Sequence, residues 1–112
     1  MKQVWRTYDG AYFEDGTDAA KHEQHLAEQL EMYNQQGYPT EDTTNALFLN
    51  IKTEAGARIF LKAVAANEDD GITEGIYEDS TGWHYWDEWS DQYRYIETSV
   101  IRTFAKLFGA KI

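Results

Sequence analysis

The sequence predicts an α+β fold, with short antiparallel strands packed by about three helices in a single domain over residues 1–112. Three observations predict it. Apolar residues recur at helical spacing in three separate stretches. Other runs are short, alternate in polarity or flank turn pairs such as Asp9-Gly10. Finally, 42% hydrophobic and 15% aromatic residues in 112 are enough for a real core without disulfide staples.

The first module, 1–37, begins with a strand over Val4–Tyr8 and the turn Asp9-Gly10, a pair suited to the positive φ of a two-residue hairpin. Ala11 to Phe13 returns antiparallel. Thr17 is the expected N-cap of a helix from Asp18 to about Gln36, with Ala19, Leu26, Leu30 and Tyr33 as its apolar stripe and Gly37 as its stop. Tyr38 to Asn45 contains Pro39 and is a loop.

The second module, 46–67, opens on a clean alternation: Leu47, Leu49 and Ile51 against Phe48, Asn50 and Lys52. A strand is expected, although so short a run also fits the first turns of a helix. Thr53 then caps a helix through Asn67, with Ile59, Phe60, Ala63 and Val64 as the buried stripe. Gly56 should weaken that helix by roughly 1 kcal/mol relative to Ala. In the third module, 68–92, Ile76-Tyr77 and Trp83–Trp86 pair around the turn Asp79–Gly82. The fourth, 93–109, spaces Tyr93, Ile96, Val100, Phe104 and Leu107 as on an amphipathic helix, with Ser90 its N-cap and Gly109 its end.

The third module holds the feature that speaks to function. Between Ala63 and Tyr93 there are nine carboxylates and no lysine or arginine: Glu68, Asp69, Asp70, Glu74, Glu78, Asp79, Asp87, Glu88 and Asp91. Interleaved are Tyr77, Trp83, Tyr85, Trp86, Trp89 and Tyr93. Such a stretch must be solvated, offset by distant cations or kept for a basic partner. Disordered acidic segments are poor in aromatics, so an ordered negative surface is expected. Its candidate partner-binding residues are the nine acids with Trp83, Trp86 and Trp89.

Formal net charge is −10, which repels nucleic-acid phosphates and anionic membranes and suits association with basic proteins. There is no cysteine, which removes thiol nucleophiles and thiolate metal sites. Met1–Arg6 lacks the apolar stretch of a signal peptide, so a cytoplasmic location is expected.

The opening residues Trp5, Asp9-Gly10, Phe13 and Ala19-Ala20-Lys21-His22-Glu23 form a pattern: aromatic strand, Asp-Gly turn, aromatic, then a helix beginning Ala-x-x-His-Glu. Over about the first quarter of the chain this resembles a module of small phage-encoded accessory proteins. The resemblance implies a phage or prophage origin and a ββα unit and, for a phage-encoded chain, the host-cell cytoplasm. In size and charge the chain is also similar to anti-restriction and anti-CRISPR inhibitors.

The chemical motifs do not assemble. His22 and His25 sit at i and i+3 beside a hairpin without cysteine, so a closed four-ligand zinc site is not expected, nor is the zincin pattern. Asn67–Gly71 resembles a calcium loop, but Ala66 and Ile72 fall where acidic ligands are required. Ser80 or Ser90 with His84 lacks a nucleophile elbow, and no glycine-rich turn precedes a lysine. The expectation is a non-enzymatic acidic binding protein without cofactor or metal. Its expected partner is a basic surface, such as that of a host nuclease or defence complex, where carboxylates stand in for phosphates. The alternative is a structural or regulatory accessory protein, such as a homodimer, whose acidity serves solubility.

Overall fold

The computed structural model describes residues 4–66, 73–107 and 109–111. Its architecture is α+β. A two-stranded hairpin, β1 (Trp5–Arg6) and β2 (Tyr12–Phe13), leads into α1 (Gly16–Gln29). A four-stranded antiparallel sheet follows in the order β3 (Leu30–Tyr33), β4 (Phe48–Ile51), β5 (Gly82–Asp87) and β6 (Gln92–Ile96). Helix α2 (Glu54–Ala66) links β4 to β5, and α3 (Thr98–Leu107) follows β6. A 3-10 turn, Thr43–Asn45, interrupts the loop before β4.

Strand parity divides the core between the two faces of the sheet. Leu30, Met32, Leu49, Ile51 and Tyr93 meet Ala57, Phe60 and Val64 of α2 on one face. Phe48 and Ile96 meet Ile101 and Ala105 of α3 on the other, with Tyr33, Trp83, Tyr85 and Phe104 packed at the margin. The strand expected at 46–52 and the helix expected after Thr53 both form.

Other expectations need correction. The helix expected over 18–36 stops at Gln29, because Leu30 turns to extended backbone and its register partner is Ile51. Leu30 and Met32 then face the core alternately with Glu31 and Tyr33, a burial pattern of period two. Asp15, not Thr17, is the N-cap; its carboxylate accepts from the Thr17 N–H at 2.7 Å. Gly37 closes a turn after β3, its N–H donating to Asn34 C=O with φ 85°.

The expected helix over 93–109 is likewise split. Gln92–Ile96 is β6, and only Thr98–Leu107 is helical. Tyr93 and Ile96 lie an odd number of residues apart, so on a strand they serve opposite faces, and each enters a different core cluster. The strand paired with Trp83–Trp86 is therefore β6 rather than Ile76-Tyr77. Ile76 is buried in the α2-side core, and Tyr77 is exposed. The first hairpin is shorter than expected and its connection longer. Thr7 N–H donates to Ala11 C=O around Tyr8-Asp9-Gly10, and of these only Gly10 has positive φ.

Candidate interaction surface

The β5–β6 connection is four residues, Glu88 to Asp91, organised by the side chain preceding it. Asp87 accepts from the Trp89 N–H at 3.0 Å, the Ser90 hydroxyl at 2.8 Å and Arg94 Nε at 2.7 Å. Such bonds to a nearby backbone are how Asp sets a turn. Arg94 lies on the facing strand, opposite Tyr85 in the register. Asp91 completes the reversal at φ 51°, a conformation Asp tolerates better than most residues. The Ser90 bond, reinforced by Trp89 N–H and Arg94, holds the Asp87 carboxyl below its ordinary range.

That turn carries Trp89 at 99% exposure. An indole left in water gives up on the order of 150–250 Å² of burial. Glu88 and Asp91 beside it are exposed. Below the tip lies a groove of about 360 Å³. It is lined by Gln35, Leu47 and Phe48, by residues 85–89 and by Phe104 of α3. Tyr85 and Phe104 are in ring contact at 4.4 Å, which ties the helix wall to the sheet.

Of the other expected partner-binding residues, Trp86 and Asp87 line this groove, whereas Glu74, Glu78, Asp79 and Trp83 do not. Glu68, Asp69 and Asp70, with the calcium-loop resemblance, lie outside the described residues. Glu74 is exposed beside the edge strand, its carbonyl accepting from the Tyr93 N–H. Glu78 and Asp79 are exposed on a separate turn before β5, where the Tyr77 N–H donates to the Ser80 hydroxyl. Trp83 stacks on Tyr33 at 5.8 Å, and Trp86 packs edge-on to buried Tyr93 at 5.2 Å. Both are packing residues first. Asp87 is a structural carboxylate neutralised by Arg94, which sits just beyond the cation-free run.

Ser90 serves the turn, and buried His84 places Nδ1 3.2 Å from the Gly82 carbonyl; burial lowers its pKa. His22 and His25 also part company. His22 Nε2 is 2.8 Å from Asp9 Oδ2 and its ring contacts Phe13, whereas His25 is exposed. Among the described residues no group of three or more His, Asp or Glu is placed to hold a metal ion. None of their helices is long and apolar enough to cross a membrane.

A second cavity, about 430 Å³, opens beside β3 and is lined by Tyr8, Glu23, Glu31, Tyr33, Pro39 and Glu41 among others. Burial, and then the neighbouring Glu23 carboxylate, raise the Glu41 pKa. Glu31 is satisfied by Tyr33, Lys52 and Asn50, which outweigh its burial and lower its pKa. Its acids come from α1, β3 and a loop, so no local sequence signal announces it. No protein-family model, curated protein or solved structure matches the chain.

Proposed function

We propose that this chain is a non-enzymatic binding protein that anchors itself through the Trp89 hairpin tip on a basic surface of another protein. The observation that carries the reading is the 99% exposure of Trp89 on a turn fixed by three bonds to Asp87. Trp is the residue most enriched at binding hot spots, and a preset turn loses little entropy on docking. Glu88 and Asp91 flank it to pair with Arg or Lys. The overall charge of −10 favours encounter with a cationic partner.

Among the described acids of this run, Glu78 and Asp79 lie before one end of β5, Glu88 and Asp91 beyond the other, and Glu74 beside Tyr93 of β6. Five residue steps of strand separate those ends by about 17 Å. That spacing supports an aromatic anchor with flanking charges more than a continuous row of phosphate-like groups. The concrete form of the reading is an inhibitor covering the nucleic-acid-binding face of a host enzyme during phage infection. The opening module and the acidity support it.

Affinity capture from a host lysate at low and high salt tests the proposal, with Trp89→Ala alongside. Recovery should fall as the Debye length drops below ~8 Å, and the variant should recover no partner at either salt. Equal recovery by both proteins would overturn the reading.

A further inference from the structure

The four-stranded sheet ends in two edge strands, β3 and β6. Tyr38 and Thr40 meet the edge of β3, bonding Asn34 and Met32. The edge of β6 is covered only in part. In an antiparallel strand successive residues turn their N–H and C=O to one neighbour and then to the other. Trp86 N–H donates to the Leu47 carbonyl, so the even residues of β5 serve β4. Its odd residues, Trp83, Tyr85 and Asp87, serve their register partners Ile96, Arg94 and Gln92. Tyr93 and Tyr95 therefore turn their backbone groups outward. The Tyr93 N–H is taken by the Glu74 carbonyl at 2.8 Å, and a Cβ built on Gly75 would stand 2.0 Å from the Tyr93 oxygen. Beyond the strand, the Glu97 carbonyl accepts from Val100 and Ile101 of α3. Between these two covered points the N–H and C=O of Tyr95 have no partner among the described residues, and Tyr95 is 61% exposed.

Open edge groups are a template for a further strand, and the surroundings select its kind. Glu74 stands at one end of the gap and Glu97 at the other, both exposed. Gly82 lies against the Tyr95 ring, which brings the turn before it, with exposed Tyr77, Glu78 and Asp79, to the same corner. Residues 73–93 contain no lysine or arginine. Arg94, the one cation of β6, points to the opposite face by strand alternation, where Asp87 holds it at 2.7 Å. We infer that an extended segment of another protein, carrying lysine or arginine at alternate positions, adds to the sheet at Tyr95 as a fifth strand. One of its residues exchanges both backbone bonds with Tyr95, and its cations pair with Glu74, Glu78, Asp79 and Glu97.

The fifth strand rests on the basic partner of the reading above, but its surface does not include Trp89. The probe is a short synthetic peptide alternating lysine and valine, with the glutamate–valine peptide as its counterpart. Amide hydrogen exchange of the purified full chain, followed by NMR, reads the site. At saturation the lysine peptide should slow exchange at Tyr95 about tenfold or more and leave Trp89 unchanged, and raised salt should weaken its binding. The glutamate peptide should protect nothing. Tyr95→Pro removes the outward N–H, a change that an edge strand tolerates, and should abolish binding with unchanged circular dichroism. Glu78→Lys with Asp79→Lys leaves the edge groups in place and should weaken the lysine peptide about tenfold. No protection at Tyr95, equal protection by both peptides, or full binding by Tyr95→Pro would overturn the inference. Trp89→Ala should bind the peptide as wild type does. A peptide bound at Tyr95 by a chain that captures no basic partner sinks only the proposed function. Capture through Trp89 with no peptide bound sinks only the fifth strand.

Discussion

Gly56 of α2 lies against the backbone carbonyl of Gln29: a Cβ built on Gly56 would stand 2.1 Å from that oxygen. The carbonyl cannot give way easily, since it also accepts from the Lys52 N–H at 2.9 Å where β3 and β4 meet. Helix propensity alone favours Gly56→Ala by about 1 kcal/mol, whereas overpacking costs about 1–3 kcal/mol. The close approach decides the sign. Gly56→Ala should lower stability by about 1–2 kcal/mol in urea unfolding, and a stabilised variant would show that α2 can shift outward.

That contact also shows where the sequence was legible. The α2 stripe of Phe60, Ala63 and Val64 and the alternation of β4 are local patterns, and both formed. Leu30–Tyr33 and Gln92–Ile96 are strands whose apolar residues also fit helical spacing beside true helices. Their state is decided by pairing with β4 and β5, which are distant in sequence. At the tip, an acidic run studded with tryptophan was visible. The sequence did not reveal that Asp87 is engaged by Arg94, or that Trp83 and Trp86 face inward while Trp89 faces out. Those outcomes depend on strand register.

The first hairpin is tied to α1 through Asp9. Its side chain is 5% exposed and accepts from the Thr7 hydroxyl, while His22 Nε2 lies 2.8 Å away. Burial alone would raise the carboxyl pKa, but the bonds from Thr7 and His22 outweigh it and hold it below the ordinary range. The folded chain then releases this proton more readily than the unfolded one. The stabilisation is present above the ordinary value of about 4 and is lost as pH falls through the lower folded value. Asp9→Asn should cost about 1–3 kcal/mol at pH 7. Urea melts should show that gap narrowing in acid, and a gap independent of pH would mean the charge contributes nothing.

Glu41 carries the opposite sign. Burial and the Glu23 carboxylate raise its pKa, so the folded state holds the proton more tightly than the unfolded state. This contribution favours folding in full below the unfolded value near 4 and disappears as pH rises through the folded value. Glu41→Gln should therefore stabilise the protein at pH 7, by less than about 1 kcal/mol because the residue is exposed to water. The benefit should vanish near pH 4. A variant less stable than wild type at neutral pH would show that the two carboxyls share a proton usefully.

The last prediction separates the Trp89 indole from the turn that presents it. Asp87→Ala leaves the Trp89 N–H, the Ser90 hydroxyl and Arg94 without their shared acceptor, yet it removes no core contact. The sheet should persist, because β5 and β6 remain paired from Trp83 to Ile96. Amide exchange at Trp89 should speed up while that of core residues such as Leu49 stays slow. The indole is still present, so partner binding should weaken only by the cost of ordering the loop, about tenfold. Trp89→Ala removes the anchor itself and should cost about thirtyfold or more. Calorimetry on the captured partner would compare the two. If Asp87→Ala binds as wild type does although its turn exchanges faster, preorganisation contributes nothing. If it binds as poorly as Trp89→Ala, the carboxylate itself contacts the partner and the tip must be redrawn with Asp87 facing outward.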